Sequence, residues 1–131
     1  MLYTLIDDIH MLAYSVVLAW LMILTAALMG IGSLKVGFSN RQDMPVRSAV
    51  AGRADRAARN MLENLVLFGC AWGATRAAGV SSWRVIGGAQ LFFVARAAYW
   101  PVYLAGIPYL RTLLWLLGVV GVGLIVSAAI G

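Results

Sequence analysis

Apolar residues fill four stretches of the chain, and charged residues gather mainly between the first two. No Asp, Glu, Lys or Arg occurs from Ile9 to Leu34 or from Thr112 to Gly131. Each interval can form a helix of about 20 residues, the length that crosses the hydrocarbon core of a bilayer. The pattern therefore predicts a membrane-spanning helix in each of these two intervals.

Two middle stretches are also apolar but carry charges closer together. The uncharged interval between Glu63 and Arg76 is residues 64–75, and that between Arg84 and Arg96 is residues 85–95. Both intervals are shorter than the roughly 20 residues that cross a bilayer. The second helix must therefore carry Glu63 into the membrane, and the third must carry Arg96. The sequence therefore predicts four helices, at about residues 9–34, 53–78, 82–105 and 108–130.

Composition supports lipid as the solvent of this chain. Of its 131 residues, 63% are hydrophobic and only 11% are charged, and the mean hydropathy is +0.88. These values lie outside the range of soluble domains. We predict a single domain, residues 1–131, that is an all-α integral membrane four-helix bundle with up-down-up-down topology. Glycines in the outer helices predict close helix approach: Gly30, Gly32, Gly118, Gly121 and Gly123.

Positive charges around the connections predict the orientation in the membrane. The segment 39–52 is expected to be a surface loop, and residues 79–82 a short turn. The second connection has only Arg76 and Arg84, whereas six basic residues flank the first: Lys35, Arg41, Arg47, Arg53, Arg56 and Arg59. Since cytoplasmic connections are enriched in Lys and Arg, the first connection is expected in the cytoplasm and both termini outside.

The net charge of +5 does not indicate nucleic-acid binding, because the arginines are spread among apolar segments. Membrane lipids or a small anion are the expected partners. The single Cys70 excludes a disulfide within the chain, and no Cys and His cluster predicts a metal site.

Helical spacing collects polar residues into two stripes. The second helix carries Arg56, Asn60, Glu63 and Leu67, and the third carries Phe92, Arg96, Tyr99 and Tyr103. With Arg111 as the floor, they predict an anion pocket that opens toward the cytoplasm. A charge inside the membrane is costly and by default suggests function. The alternative is structural: an arginine near a helix end reaches the headgroups, and a glutamate pairs with an arginine.

The same residues resemble the MAPEG family, membrane-associated proteins in eicosanoid and glutathione metabolism, in its bacterial members. The segment Arg56-Ala-Ala-Arg59-Asn60-Met-Leu-Glu63-Asn64 is similar to the family's second-helix signature. The segments from Arg96 to Tyr103 and from Gly106 to Thr112 resemble the end of helix three and the start of helix four.

The resemblance implies a homotrimer that holds glutathione as co-substrate in clefts between subunits. Arg111 would activate the thiol for attack on a lipophilic electrophile that arrives from the bilayer, with Thr112 as an added donor. The implied glutathione-binding residues are Arg56, Arg59, Asn60, Glu63, Arg96, Tyr99, Tyr103 and Lys35. Some members carry His in place of Tyr99, Tyr in place of Asn64 and Arg in place of Lys35.

Three functions follow from these observations. The first is a glutathione transferase or peroxidase in detoxification, and the second is a non-catalytic protein that binds glutathione or a lipid. The third is a small multidrug exporter, which is disfavoured because such exporters place a carboxylate in helix one and residues 9–34 contain none.

Overall fold

The computed structural model describes residues 7–32, 38, 46 and 48–131, which form four α-helices. Helix α1 spans Asp8–Ile31, α2 spans Ala49–Ala77, α3 spans Trp83–Ala105 and α4 spans Pro108–Ile130. The described part of the chain contains no strand. The prediction of an all-α protein with four helices is therefore confirmed.

Side chains at the helix starts explain where the helices begin. Ser48 Oγ accepts a hydrogen bond from Ala51 N at 3.1 Å, which caps α2. A cap of this kind satisfies one of the free amide groups of the first turn. Helix α2 therefore begins at Ala49, and the prediction of a loop extending to residue 52 was wrong for residues 49–52. Ser82 caps α3 in the same way, and Pro108 occupies the first turn of α4.

The turn between α3 and α4 depends on a glycine and an arginine. Gly106 has φ +76°, a left-handed conformation that ends α3. Arg53 of α2 donates from Nε to the carbonyl oxygen of Leu104 at 3.0 Å. The arginine thus satisfies one of the carbonyl groups that a helix end leaves free. This bond also fixes the start of α2 against the end of α3.

Helices α3 and α4 pack closely at two glycines. A Cβ atom on Gly121 would lie 2.6 Å from the carbonyl oxygen of Gly88, and one on Gly88 would lie 2.5 Å from that of Gly121. Only hydrogen fits at both positions. The predicted close approach of helices is confirmed at Gly121, whereas Gly118 leaves room for the Arg96 side chain and Gly123 faces open space. Gly88, on the partner helix, was not predicted.

Polarity is arranged as expected for a protein in lipid. Two of the described helices, α1 and α4, are long and apolar enough to cross a membrane. Large apolar side chains point outward on the other two helices as well, such as Val66 on α2 and Val94 on α3. In contrast, the arginine Arg96 has 0% of its surface exposed. An enclosed arginine together with outward apolar side chains favours insertion in a bilayer.

Candidate functional site

A cationic cleft of about 500 Å³ opens where the start of α2 meets the end of α3 and the start of α4. Its volume lies in the range of small-molecule sites. Helix α2 supplies most of the wall, and α3 and α4 each contribute one residue. The lining residues are Ser48, Ala49, Gly52, Arg53, Asp55, Arg56, Tyr103 and Arg111.

Three arginines converge in the cationic cleft. Arg53 is fixed by its bond to Leu104, and the Arg111 guanidinium lies 4.9 Å from the centre of the Tyr103 ring. Such stacking holds a cation in place without neutralising it. Neither Arg56 nor Arg111 forms an ion pair with a described carboxylate. The cleft therefore keeps positive charge available for an anion.

Asp55 is the carboxylate that lines the cleft, and it forms an ion pair with Arg59, a residue outside the cleft. Arg59 Nε lies 3.1 Å from its Oδ2. The Arg59 side chain is 74% exposed and does not line the cleft. Arg59 thus contacts Asp55 from the side that faces away from the cleft.

Asn60 lies one helical turn beyond Arg56 on α2 and is joined to α3. Arg96 Nη1 donates to Asn60 Oδ1 at 2.6 Å. The Arg96 guanidinium is enclosed, between the rings of Phe92 at 5.5 Å and Tyr99 at 5.2 Å. The structure thus brings Asn60 and Arg96 together, as the two-stripe hypothesis expected, but Arg96 does not line the cleft.

The remaining predicted site residues that the structure describes do not line the cleft, and they differ in their exposure and contacts. Tyr99 is buried, with its ring 5.3 Å from that of Tyr103. Glu63 is exposed on α2, and the structure gives it no partner among the described residues. The Thr112 hydroxyl donates to the Pro108 carbonyl at 3.1 Å, so its hydrogen is already used. Lys35 lies outside the described residues.

Sequence reasoning missed Ser48 and Asp55 as parts of the cleft wall. The signal for Ser48 was present, because a serine just before an alanine-rich helical segment is a common N-cap. Asp55 faces both the cleft and a second pocket between α1 and α2, which no spacing rule revealed.

A second polar cluster lies at the other end of the bundle from the cleft, where the start of α1 meets the end of α2. Asp8 is buried and accepts bonds from Arg76 Nη2 at 2.6 Å and from Trp72 Nε1 at 2.9 Å. The Arg76 guanidinium lies 5.2 Å from the Trp72 ring centre. We call Asp8, Trp72 and Arg76 the α1–α2 clamp. Beside it, a side-chain hydrogen bond from His10 lowers the pKa of the Asp7 carboxyl.

These features define a class: an all-helical membrane protein with buried arginine and a cationic cleft at one end of the bundle. The family model of the MAPEG family matches residues 11–131, nearly the whole chain, and the protein belongs to that family. Membership supports, in general terms, a membrane function in glutathione or eicosanoid chemistry. Comparisons with curated proteins and with solved structures give no significant match.

Proposed function

We propose that the protein is a glutathione-dependent membrane transferase or peroxidase whose co-substrate binds in the cationic cleft. The observation that carries this proposal is the convergence of Arg53, Arg56 and Arg111 on a cleft of about 500 Å³. Glutathione has two carboxylates and a thiol, so its bound thiolate form matches a cleft rich in cations. Family membership supports the choice of this thiol over other anions.

Arg111 is the proposed catalytic residue. A free thiol has a pKa of about 8.5, and a fixed cation beside it favours the thiolate, which is the nucleophile. Tyr103 holds the Arg111 guanidinium by stacking, and the start of α4 places a helix N-terminus next to it. In a transferase step, the thiolate sulfur bonds to the electrophile and the leaving group departs with its electron pair.

The electrophile is proposed to be lipophilic and to arrive from the bilayer. The outward faces of all four helices carry large apolar side chains, so a molecule dissolved in lipid meets an apolar surface around the cleft. Membrane lipids are the other expected neighbours of this surface.

A homotrimer is proposed for the assembled protein. Glu63 is an exposed carboxylate on α2 with no partner among the described residues. Exposure of a charge to lipid is costly, and a cation from a neighbouring subunit would offset it. Arg59, which is exposed on α2 and pairs with Asp55 of its own chain, is a candidate for this further contact. The implied glutathione contacts of Arg59, Glu63 and Lys35 would then belong to a cleft shared between subunits.

We also propose that all four helices span the membrane in up-down-up-down order. Asp8 contacts Arg76, Arg53 contacts Leu104 and Arg84 contacts Ser127, so the start of each of the first three helices lies near the end of the next. The cleft end, which contains Arg53, Arg56 and Arg111, is proposed to face the cytoplasm of a bacterial inner membrane, with both termini outside.

The test is thermal unfolding of the detergent-purified protein during a titration with reduced glutathione. Glutathione at about 100 times its dissociation constant should stabilise the wild type by about 2.7 kcal/mol. Arg56→Ala should lose most of this shift because the cleft loses one cation. The matched control is Arg84→Ala, an arginine that bonds Ser127 of α4 away from the cleft.

The outcomes separate the candidate functions. No shift of the wild type at saturating glutathione would contradict the proposal. A shift without turnover of a broad panel of lipophilic electrophiles would instead support a non-catalytic glutathione-binding protein. An equal loss of the shift in Arg84→Ala would show that the effect is not specific to the cleft.

A further inference from the structure

An apolar groove opens between α1 and α3 and shares no residue with the cationic cleft. We call it the α1–α3 groove; its volume is about 250 Å³, and it is lined by Tyr14, Val17, Leu18, Leu21 and Phe93. Val17 and Leu21 are about half exposed, at 52% and 47%. In a membrane-spanning bundle an outward groove of this kind faces lipid tails, which are as apolar as its walls.

One face of α1 joins the groove to polar side chains at the start of the helix. The His10 ring lies 6.2 Å from the Tyr14 ring, and the Tyr14 ring lies 5.9 Å from that of Phe93 across the groove. His10 Nδ1 in turn lies 2.6 Å from Asp7 Oδ1. Asp7, His10 and Tyr14 therefore follow one another along the face that continues into the groove. This face is polar at the end of the bundle and apolar further in.

The length of this face matches one leaflet of a bilayer. From His10 to Leu21 the helix advances by about 16 Å. The hydrocarbon core of a bilayer is about 30 Å thick, so one leaflet contributes about 15 Å. An acyl chain in the groove, with its headgroup beside His10, would therefore cross its own leaflet. A membrane phospholipid fits this division of polarity better than a molecule that is apolar throughout.

Charges at the polar end favour a headgroup that carries both signs. Asp7 Oδ1 accepts bonds from His10, whereas Asp7 Oδ2 has no partner among the described residues. The bonds from His10 and the charge of Arg76 lower the pKa of the Asp7 carboxyl, which therefore stays ionised at neutral pH. Arg76 is 47% exposed, and of its nitrogens only Nη2 has a hydrogen-bond partner in the described part of the chain. An ammonium group can donate to Asp7 while a phosphate accepts from Arg76.

We propose that the α1–α3 groove binds an acyl chain of a phospholipid with a phosphoethanolamine headgroup. The ammonium of the headgroup donates to Asp7, the phosphate accepts from the outer nitrogens of Arg76, and the chain lies against Tyr14 and Phe93. A headgroup without net charge suits this end of the bundle, because Asp8 already balances Arg76. Since the site lies apart from the cationic cleft, it does not depend on the glutathione function proposed above.

Two lipids that differ only in the amine test the headgroup. Native mass spectrometry of the detergent-purified full chain measures the affinities of dioleoylphosphatidylethanolamine and of dioleoylphosphatidylcholine, whose quaternary amine has no N–H donor. We expect the wild type to prefer the ethanolamine lipid by about tenfold, the low end for a hydrogen bond to a charged group. Asp7→Asn should remove most of this preference. It should keep the start of α1, because asparagine caps a helix about as well as aspartate does.

Val17→Trp tests the groove. The larger side chain at this exposed position fills the groove and should lower the affinity for the ethanolamine lipid by about three- to tenfold. The matched control is Val16→Trp, because Val16 is 50% exposed on the same helix but does not line the groove. Both variants should melt near the wild-type temperature, since neither position is enclosed.

The outcomes distinguish the possible occupants. Equal affinities of the wild type for the two lipids, or tighter binding of the anionic dioleoylphosphatidylglycerol, would overturn the assigned headgroup and with it the proposal. Wild-type lipid affinity in Val17→Trp, or an equal loss in Val16→Trp, would overturn the groove as the lipid site. A change in the number of copies in the Val17→Trp assembly, with lipid affinity unaltered, would show a contact between copies in its place. Glutathione binding in the cationic cleft is unaffected by any of these results.

Discussion

The two ends of the bundle use arginine in different ways. In the α1–α2 clamp, Arg76 donates to the buried carboxylate of Asp8 and stacks on Trp72, so its charge is balanced within the protein. In the cationic cleft, Arg56 and Arg111 have no described carboxylate partner. A balanced pair joins helices, whereas unbalanced cations around an open volume are suited to bind an anion. The comparison separates the charges that join helices from the charges that stay open to an anion.

The largest expected effect comes from Arg111→Ala at the cleft end. Loss of the cation beside the thiol should lower turnover on the order of 100-fold, because the thiolate and the developing charge lose their stabilising partner. The measurement is the rate of conjugation of glutathione to a lipophilic aryl halide, together with the ultraviolet absorbance of the bound thiolate. Arg84→Ala is the control and should turn over normally. Normal turnover by Arg111→Ala would contradict the assignment of Arg111 as the catalytic residue.

A smaller effect is expected from Asp8→Asn at the clamp end. The change removes the charge of a buried acceptor and leaves Arg76 with a weaker partner, which should lower stability by about 1–2 kcal/mol. The figure is at the lower end for a buried pair because the Arg76 side chain is 47% exposed. Thermal unfolding measures it. The glutathione shift should persist, and its loss would show that the two ends are not independent.

The smallest effect compares one glycine at each end. Gly106 and Gly79 both have a positive φ, +76° and +65°, so alanine at either position should cost about 1 kcal/mol of stability. Only Gly106 lies beside a cleft arginine: an added Cβ would be in ordinary contact with Arg53 Cζ at 3.6 Å, whereas at Gly79 it would meet nothing within 4 Å. Backbone strain at Gly106 would shift the nearby Leu104 carbonyl, which holds Arg53. We therefore expect Gly106→Ala, and not Gly79→Ala, to weaken glutathione binding by two- to threefold in calorimetry. Equal glutathione affinities in the two variants would show that the conformation of the Gly106 turn does not affect binding in the cleft.

Much of the fold could be predicted from residue order, and the site only in part. The uncharged runs at residues 9–34 and 112–131 indicated helices because length and polarity suffice for that inference. The spacing of Arg56 and Asn60 indicated their shared face on α2 because helical periodicity is local. The N-terminal limit of α2 was misjudged, since Pro45 and its polar neighbours suggested a longer loop and the Ser48 cap was overlooked.

The two polar stripes anticipated that Asn60 of α2 would meet Arg96 of α3, but other contacts between helices could not be read from spacing. Asp8 and Arg76 are 68 residues apart, and nothing local to either residue indicates that they meet. The same is true of Arg53 and the Leu104 carbonyl to which it donates, which are 51 residues apart. Gly88 was overlooked because its importance depends on Gly121 of another helix.

The sequence by itself determined the lipid-compatible composition, the number of helices and the face of α2 that carries Arg56 and Asn60. These follow from polarity and local periodicity, which each segment encodes alone. Only the tertiary structure decided that Arg96 is fully enclosed, that Arg111 stacks on Tyr103 and that Asp8 balances Arg76. Each of these depends on how far one helix is rotated and shifted against another, a quantity set by packing over all contacts at once.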